Sequence, residues 1–261
     1  MQLDYIKTGF HLEENFLEIS QIKKSIENIF FNYCNTEGNF NEILIKLYKD
    51  DINGFVGCAK LCQFIPELIS LSVNPKIITK LKELGLEYPV VNTRPLLSFS
   101  CKNTAANEDY WKIPAHQDWP STQGSLNGIT CWMPLVNVTS DLGPLEISPS
   151  SHLEGPIEHT EIGPHTTTRV PVVATHDDRN YIAFPMKPND ALFFSNFTVH
   201  RSGENKTDDE IRLTMHFRFD DAYEKTFIQR KYPRHKIETR AAGNSLPIFP
   251  MKEFKELFKL T

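Results

Sequence analysis

A histidine and an aspartate stand two residues apart in His116-Gln117-Asp118, and a second histidine, His200, follows much later in the chain. The residues before His116 favour a strand, and side chains two apart on a strand point to the same side. An imidazole and a carboxylate are therefore aimed at one point. Two histidines and one carboxylate hold Fe(II) on one face and leave three positions open for a bidentate cosubstrate and O₂. The spacing predicts a mononuclear non-haem iron site.

Two other segments offer similar residue types, namely His176-Asp177-Asp178 and His11-Leu12-Glu13. The chain contains nine histidines, so a histidine two residues from an acid is expected by chance. His176 lies in a polar run, 175–180, that is typical of an exposed loop. His116 instead lies between predicted strands and has a distal partner in His200. We therefore favour His116, Asp118 and His200 as the metal ligands.

Twelve residues after His200, a predicted strand over 212–219 alternates polar and apolar side chains. Its polar side consists of Arg212, Thr214, His216 and Arg218. Such a face meets either solvent or a polar cavity inside a rolled sheet. In a cavity, the Arg212 guanidinium would grip the distal carboxylate of 2-oxoglutarate through two parallel hydrogen bonds, and Ser202 could add a hydroxyl.

The elements that must position these residues change in type near residue 90. Helical spacing of apolar residues predicts helices at 18–33, 41–49, 58–71 and 75–84. β-favouring runs then predict strands at 96–101, 111–115, 128–138, 144–147, 170–174, 181–184, 191–194 and 212–219. Short strands without intervening helices favour a sandwich or jelly roll over a doubly wound sheet.

The predicted fold class is α+β, mainly β, in a single domain over 1–261. It comprises a helical N-terminal layer at about 1–90, a β core at about 91–220 and a C-terminal extension at 221–261. The net charge of −5 argues against nucleic acid as a partner, and no apolar run reaches the ~20 residues of a membrane span. The N-terminus lacks the pattern of a signal peptide, so a cytoplasmic location is expected. The five scattered cysteines are expected to be buried free thiols.

Several sequence blocks in this region resemble the phytanoyl-CoA dioxygenase family of Fe(II)/2-oxoglutarate oxygenases. The likeness covers about 94–220, roughly half the chain. In order, the blocks are His116-Gln117-Asp118, Gly128-Ile129-Thr130-Cys131-Trp132-Met133-Pro134-Leu135, Gly143-Pro144-Leu145-Glu146, Pro149-Ser150-Ser151-His152, Asn189-Asp190-Ala191-Leu192-Phe193-Phe194, His200 and Arg212. The resemblance implies a double-stranded β-helix, which is a cupin-like jelly roll.

The resemblance also implies roles for individual residues. His116, Asp118 and His200 would be the iron ligands, Arg212 and Ser202 would bind the cosubstrate carboxylate, and the positions of Gln117 and Trp132 line the cosubstrate pocket in the family. Because Asp118 is present, hydroxylation with release of succinate and CO₂ is favoured over halogenation. Where the family has Pro-Gly-Ser-His, this chain has Pro149-Ser150-Ser151-His152. That departure affects a turn, and His152 is expected to be structural.

Strand parity and closeness in sequence nominate a set of substrate-contacting residues: Trp119, Arg94, Asn103, Asn196, His216 and Arg218. The polar members favour a small polar or anionic substrate. Two alternatives stay open. One is a non-catalytic jelly-roll module that binds a metal or ligand, and the other is a zinc hydrolase built on the same ligands.

Overall fold

The computed structural model describes residues 2–101, 113–157, 159–160, 172–173, 179–233, 240–241, 244–245 and 256. The helices are α1 (Gln2–Thr8), α2 (Ser20–Cys34), α3 (Phe40–Asp50), α4 (Ile52–Cys62), α5 (Pro66–Ser72), α6 (Pro75–Glu83), α7 (Trp119–Thr122) and α8 (Lys225–Gln229), with a 3₁₀ turn at Ser151–Glu154. The strands are β1 (Phe10–Glu13), β2 (Pro89–Val91), β3 (Leu96–Ser100), β4 (Ile129–Pro134), β5 (Leu145–Ile147), β6 (His159–Thr160), β7 (Val172–Val173), β8 (Ile182–Phe184), β9 (Ala191–Ser195), β10 (His200–Ser202), β11 (Arg212–Asp221), β12 (Arg240–Ala241) and β13 (Asn244–Ser245).

The N-terminal helices begin and end where the local sequence supplies caps. The Asn39 side chain accepts hydrogen bonds from the first backbone amides of α3, and Asp51 accepts one from Gly54 at the start of α4. The sequence predicted one helix over 58–71, and this was wrong. The structure has α4 and α5 there, because Pro66 has no amide proton and holds the preceding Ile65 in an extended conformation.

Two antiparallel sheets form the β core. The larger has the order β1-β9-β4-β11-β2, with β3 also pairing with β11, and the smaller has the order β10-β5-β8. The ten-residue β11 is the central strand of the larger sheet, since β4 pairs along one edge while β3 and β2 share the other. Two sheets that enclose an interior confirm the predicted jelly roll with its helical N-terminal layer.

Both sides of the larger sheet are buried. The sheet therefore lies between two separate apolar clusters. One side of β11, with Leu213, Met215 and Phe217, packs together with the apolar faces of α2 to α6. A smaller cluster fills the space between the sheets and includes Trp132, Ile147 and Phe194. The polar side of β11 faces this second space, because side chains alternate along a strand.

Most predicted elements are confirmed, with shifted ends. Helices at 18–33, 41–49 and 75–84 correspond to α2, α3 and α6, and β3, β4, β5, β7, β8, β9 and β11 fall within or close to their predicted runs. Of the predicted strand 111–115, the first two residues lie outside the described part, and 113–115 are not in a strand. The sequence missed the helices α1, α7 and α8 and the strands β1, β2, β6, β10, β12 and β13. The single-domain division stays a prediction.

No single helix in the described ranges is long and apolar enough to cross a membrane. Only α4 taken together with Pro66–Glu83, at a bend of 49°, has the necessary length and composition.

Truncation of a β11 side chain that faces the helices tests the packing between layers. Phe217 is 1% exposed, so Phe217→Ala leaves a cavity and should lower the free energy of unfolding by about 3–5 kcal/mol. Leu153 is 61% exposed, and Leu153→Ala should change it by less than about 0.5 kcal/mol. Urea unfolding of both variants measures the difference. Equal effects would contradict the layered arrangement.

Candidate metal centre

His116, Asp118 and His200 come together although 84 positions separate the first from the last. The backbones of His116 and His200 pair with each other through two N–H···O bonds of 2.9 and 3.0 Å. This bridge joins the segment before α7 to β10 and sets the two imidazoles side by side, with ring centres 4.1 Å apart. One potential ligand atom from each of the three residues lies within 4.8 Å of the others, and all three residues are buried.

Both histidines are oriented by the same type of backbone contact. His116 Nδ1 lies 2.8 Å from the carbonyl oxygen of Pro114, and His200 Nδ1 lies 2.9 Å from that of Thr198. A carbonyl oxygen only accepts, so each Nδ1 carries the proton and each Nε2 keeps its lone pair. The lone pairs are therefore free to bind a metal, and the rings are held in one orientation.

Asp118 is gripped at both oxygens by a cross-strand pair. Thr130 of β4 and Arg218 of β11 face each other in the sheet register. Thr130 Oγ1 donates to Asp118 Oδ2 at 2.7 Å, and Arg218 donates to Oδ1 at 2.5 Å. Oδ1 is also 3.8 Å from His116 Nε2. The pairing of β4 with β11 thus fixes the direction of the carboxylate.

Asn196 extends this arrangement by one residue. Thr130 Oγ1 lies 2.9 Å from Asn196 Oδ1, while the Asn196 amide nitrogen is buried without a hydrogen-bond partner among the described residues. A hydroxyl has one proton, and Thr130 donates it to Asp118. Rotating the Asn196 amide by 180° lets its nitrogen donate to Thr130. The result is a chain of donors from Asn196 through Thr130 to Asp118.

Burial and neighbouring charges set the protonation of the three residues. Burial, together with His200, lowers the pKa of His116 to about 3, and burial also lowers the pKa of His200. Burial alone would raise the pKa of Asp118, but the Arg218 charge and the two histidines bring it well below its usual range. At neutral pH the cluster therefore consists of two neutral imidazoles and one carboxylate, the forms that bind a metal.

The donor set fits a divalent transition metal. Two imidazole nitrogens and one carboxylate oxygen without thiolate are the ligands of the facial triad that holds Fe(II) with open positions. Among the described residues, no other group of histidine, cysteine and acidic side chains comes together in this way. Of the rival segments, His11 and Glu13 contact each other, and Glu13 pairs with Lys80, while His176-Asp177-Asp178 lies outside the described residues.

Arg212, the predicted cosubstrate anchor, lies on the same inner side of β11 as Arg218 and contacts Ser202. Its Nη2 is 3.2 Å from Ser202 Oγ, and its Nη1 donates to the carbonyl oxygen of Gly143. Gly143 has a φ of +65°, and an added Cβ would lie 2.9 Å from the Gly203 carbonyl oxygen, so this turn requires glycine. The polar side of β11 faces an enclosed space and not solvent, since Arg212, Thr214 and Arg218 are all buried.

Gln117 and Trp132 are both buried, with different surroundings. The Gln117 amide nitrogen donates to the carbonyls of Gly155 and Phe197, and its oxygen accepts from the Ile157 amide. Its side chain thereby braces the loops behind the ligands. Trp132 lies on the inner side of β4, with its ring 6.4 Å from that of His216. Contact of either residue with a cosubstrate stays a prediction.

The six residues nominated for substrate binding divide into three groups: three near the candidate ligands, one in the structural core, and two that no described contact brings to the ligands. His216 and Arg218 line the inner side of β11, and Asn196 lies behind Asp118. Trp119 is fully buried, donates to the Gly124 carbonyl and stacks on Phe197 at 5.1 Å, so its ring is part of the structural core.

The other two nominated residues are not brought to the cluster by any described contact. Arg94 is exposed, donates to Gln63 at 3.0 Å and lies over the Phe64 ring, so its contacts are with the helical layer. Asn103 lies outside the described residues. The sequence reasoning missed Thr130, whose alternation with Trp132 in the predicted strand 128–138 was the available signal. It also missed Phe194, whose ring lies 4.7 Å from that of His200.

A family model described as phytanoyl-CoA dioxygenase matches residues 53–214, more than half of the chain. The chain belongs to the phytanoyl-CoA dioxygenase family. It is 31% identical over 114 residues to 1-deoxypentalenic acid 11-beta-hydroxylase of Streptomyces arenae. This alignment covers 41% of this chain and 40% of that protein. It is 27% identical over 145 residues to methylphosphonate hydroxylase of Gimesia maris, covering 54% and 53%. These alignments span about half or less of the relatives' lengths.

Solved structures share the fold at low sequence identity. The epimerase SnoN, in complex with Fe³⁺, alpha-ketoglutarate and nogalamycin RO, matches with a TM-score of 0.58 at 16% identity, covering 95% of this chain and 94% of that one. The alpha-ketoglutarate-dependent carbocyclase SnoK matches with a TM-score of 0.58 at 17% identity, covering 92% of each.

The buried histidines predict how the metal-free protein responds to acid. Burial, followed by the Arg218 charge, lowers the pKa of His216 to about 3, as burial does for His116. Below the unfolded-state pKa of about 6.5, the unfolded chain binds protons that the folded chain does not. Stability should therefore fall as pH falls, by about 2 kcal/mol per such histidine at about pH 5.

Urea unfolding between neutral and mildly acidic pH measures this loss. His216→Asn should flatten the pH dependence by the share of one histidine. If the free energy of unfolding falls equally steeply with pH in wild type and in His216→Asn, His216 is protonated in the folded protein.

Proposed function

We propose that this protein is an Fe(II)- and 2-oxoglutarate-dependent dioxygenase that hydroxylates a small polar molecule and releases succinate and CO₂. The observation that carries the proposal is the buried His116, Asp118 and His200 cluster, enclosed with Arg212 and Ser202 between the same two sheets. A metal triad and a buried guanidinium in one cavity suit a metal-chelating diacid. Membership of the family supports the same conclusion.

His116, Asp118 and His200 would hold the iron. When bound, Fe(II) and 2-oxoglutarate would supply, together with O₂, the oxidising chemistry that breaks a C–H bond and forms an alcohol. The protein contributes orientation, because the backbone carbonyls of Pro114 and Thr198 keep both Nε2 lone pairs directed at one place. It also excludes water, since all three side chains are buried.

Arg212 and Ser202 would hold the distal carboxylate of 2-oxoglutarate. Nη1 of Arg212 is used by the Gly143 carbonyl, whereas Nε has no hydrogen-bond partner among the described residues. The edge formed by Nε and Nη2 can therefore present two parallel N–H groups to a carboxylate, with the Ser202 hydroxyl beside it. Burial lowers the pKa of Arg212 to about 10, so the guanidinium is charged at neutral pH.

The substrate would be small and polar. Thr214, His216 and Arg218 lie on the inner side of β11, and Arg218 contacts Asp118, so a polar group of the substrate would meet polar partners there. The named substrates of the two hydroxylase relatives are an acid and a phosphonate, which are also polar. Succinate formation with Fe(II), ascorbate and air separates an oxygenase from a non-catalytic binding module. Turnover without O₂ would instead indicate a hydrolase.

Removal of any metal ligand should abolish both metal binding and turnover. His116→Ala, Asp118→Ala and His200→Ala are each expected to weaken Co(II) binding by more than about hundredfold, because a ligand matters at least as much as its supporting contacts. Isothermal titration with Co(II), together with a succinate assay, measures both effects. His11→Ala serves as the control and should bind Co(II) normally. Loss of binding in His176→Ala and Asp178→Ala, but not in the first three, would assign the site to the other triplet.

Substitution of Arg212 should impair the use of 2-oxoglutarate without loss of the metal. Removing one partner of a buried charged pair costs on the order of 3–5 kcal/mol, which is roughly two to three and a half decades of affinity. Arg212→Ala should raise the KM for 2-oxoglutarate accordingly, and Arg212→Lys should recover only part because an ammonium lacks the planar fork. Co(II) affinity should stay within about threefold of wild type, since Arg212 contacts Ser202 and Gly143 and not a triad residue. An unchanged KM in Arg212→Ala would contradict the assignment.

A further inference from the structure

Arg218 has a buried guanidinium. The candidate iron and 2-oxoglutarate sites do not supply acceptors for all of its N–H groups. Its residue surface is 8% exposed, and it donates one hydrogen bond to Asp118 Oδ1. Its Nε–H is buried and has no acceptor among the described residues. A guanidinium carries five N–H donors, and a buried donor without an acceptor is costly. Arg212 shows the same feature, a buried Nε without a partner, on the same side of the same strand.

The carboxylate that pairs with Arg218 is also a candidate metal ligand. Arg218 forms an ion pair with Asp118. Asp220, further along the same side of β11, bonds to Asn92 and Ser125, and Glu224 and Asp220 both act on the charge of Arg230. When a divalent ion binds Asp118, two cations share one carboxylate, and a further anion beside the buried guanidinium becomes favourable.

Asp118 cannot serve both cations equally well. Its Oδ1 accepts from Arg218, and the same oxygen lies 3.8 Å from His116 Nε2. A metal on this carboxylate draws its negative charge away from the guanidinium and places a like charge close by. Arg218 would then favour a new acceptor on the side of its free Nε.

We propose that Arg218 binds the carboxylate of an anionic substrate through the edge that carries its unpaired Nε–H. This inference rests on the proposed function and narrows its substrate from polar molecules to anions. The two guanidiniums of β11 then have parallel roles, Arg212 for the acid end of the cosubstrate and Arg218 for the acid end of the substrate.

Equilibrium binding to the inhibited enzyme tests this proposal without turnover. Full-length protein is loaded with Co(II) and with N-oxalylglycine, an inert analogue that fills the 2-oxoglutarate site. The probes are straight-chain carboxylic acids from acetate to octanoate, each compared with its uncharged amide in a ligand-observed NMR titration. At least one acid should bind about tenfold or more tightly than its amide, because the two differ mainly in charge.

Three variants connect that preference to Arg218. Arg218→Gln should abolish the preference for acids. Arg218→Lys should weaken it by about threefold or more, since the charge remains but the fork is lost. The matched control is Arg201→Gln, because Arg201 neighbours His200 but pairs with Glu146 and stacks on Tyr181, and the preference should persist there.

Several results would overturn the proposal. They are an absence of any acid that binds better than its amide, a full preference for acids in Arg218→Gln, or, if that variant does not fold, a full preference in Arg218→Lys. A preference for acids that Arg218→Gln loses only when Co(II) does not saturate the site would assign Arg218 to the orientation of Asp118 alone. The proposed function fails by a different result, the absence of succinate formation under any condition, which leaves the binding measurement interpretable.

Discussion

A carboxylate enclosed by protein must find both its hydrogen bonds and its counter-charge among its neighbours. Asp118 meets this requirement through Thr130 at one oxygen and Arg218 at the other, so the charge persists in a fully buried site. These two partners come from different strands, and they face each other only because β4 and β11 pair in one register. A shift of either strand by one residue would turn its side chain, Thr130 or Arg218, to the opposite side of the sheet. The orientation of Asp118 in the candidate metal site therefore depends on the pairing of β4 with β11.

The two sides of β11 explain why that pairing is firm. Leu213, Met215 and Phe217 pack together with the N-terminal helices, while the alternate residues lie on the side that faces the smaller sheet. Packing on the apolar side fixes the strand against rotation and slippage. The buried guanidiniums of Arg212 and Arg218, which are costly by themselves, are thus held in place by apolar contacts made on the other side of the strand. The helical layer takes part in the site indirectly, by holding this strand.

His116 and His200 depend on a different contact, the backbone bridge between the segment before α7 and β10. The bridge brings together two residues far apart in sequence, and the carbonyl two residues before each histidine sets its tautomer. Burial keeps both rings neutral by lowering their pKa values. Orientation comes from the backbone, and burial keeps both rings neutral even though the Asp118 charge acts in the opposite direction on the pKa of each.

The sequence by itself determined the types and the local order of the essential residues. The spacing of His116 and Asp118, the alternation that puts Arg212 and Arg218 on one side of a strand, and the change from helical to β-favouring segments near residue 90 are all local patterns. Each of these patterns extends over a few neighbouring residues, so it can be recognised without knowledge of the fold. The boundaries at Pro66 and the very short strand β10 were less accessible, because a few residues carry little pattern of their own.

Only the tertiary structure decided which partners these residues meet. It placed Arg212 beside Ser202 and Arg218 beside Asp118, a choice that strand parity could not make because both arginines share one side. It placed Arg94 against the helical layer and Thr130 against Asp118, a contact that the alternation of Thr130 with Trp132 could not specify. The physical reason is that contacts between strands depend on register and on sheet closure. Both result from packing across the whole chain and not from the residues on either side.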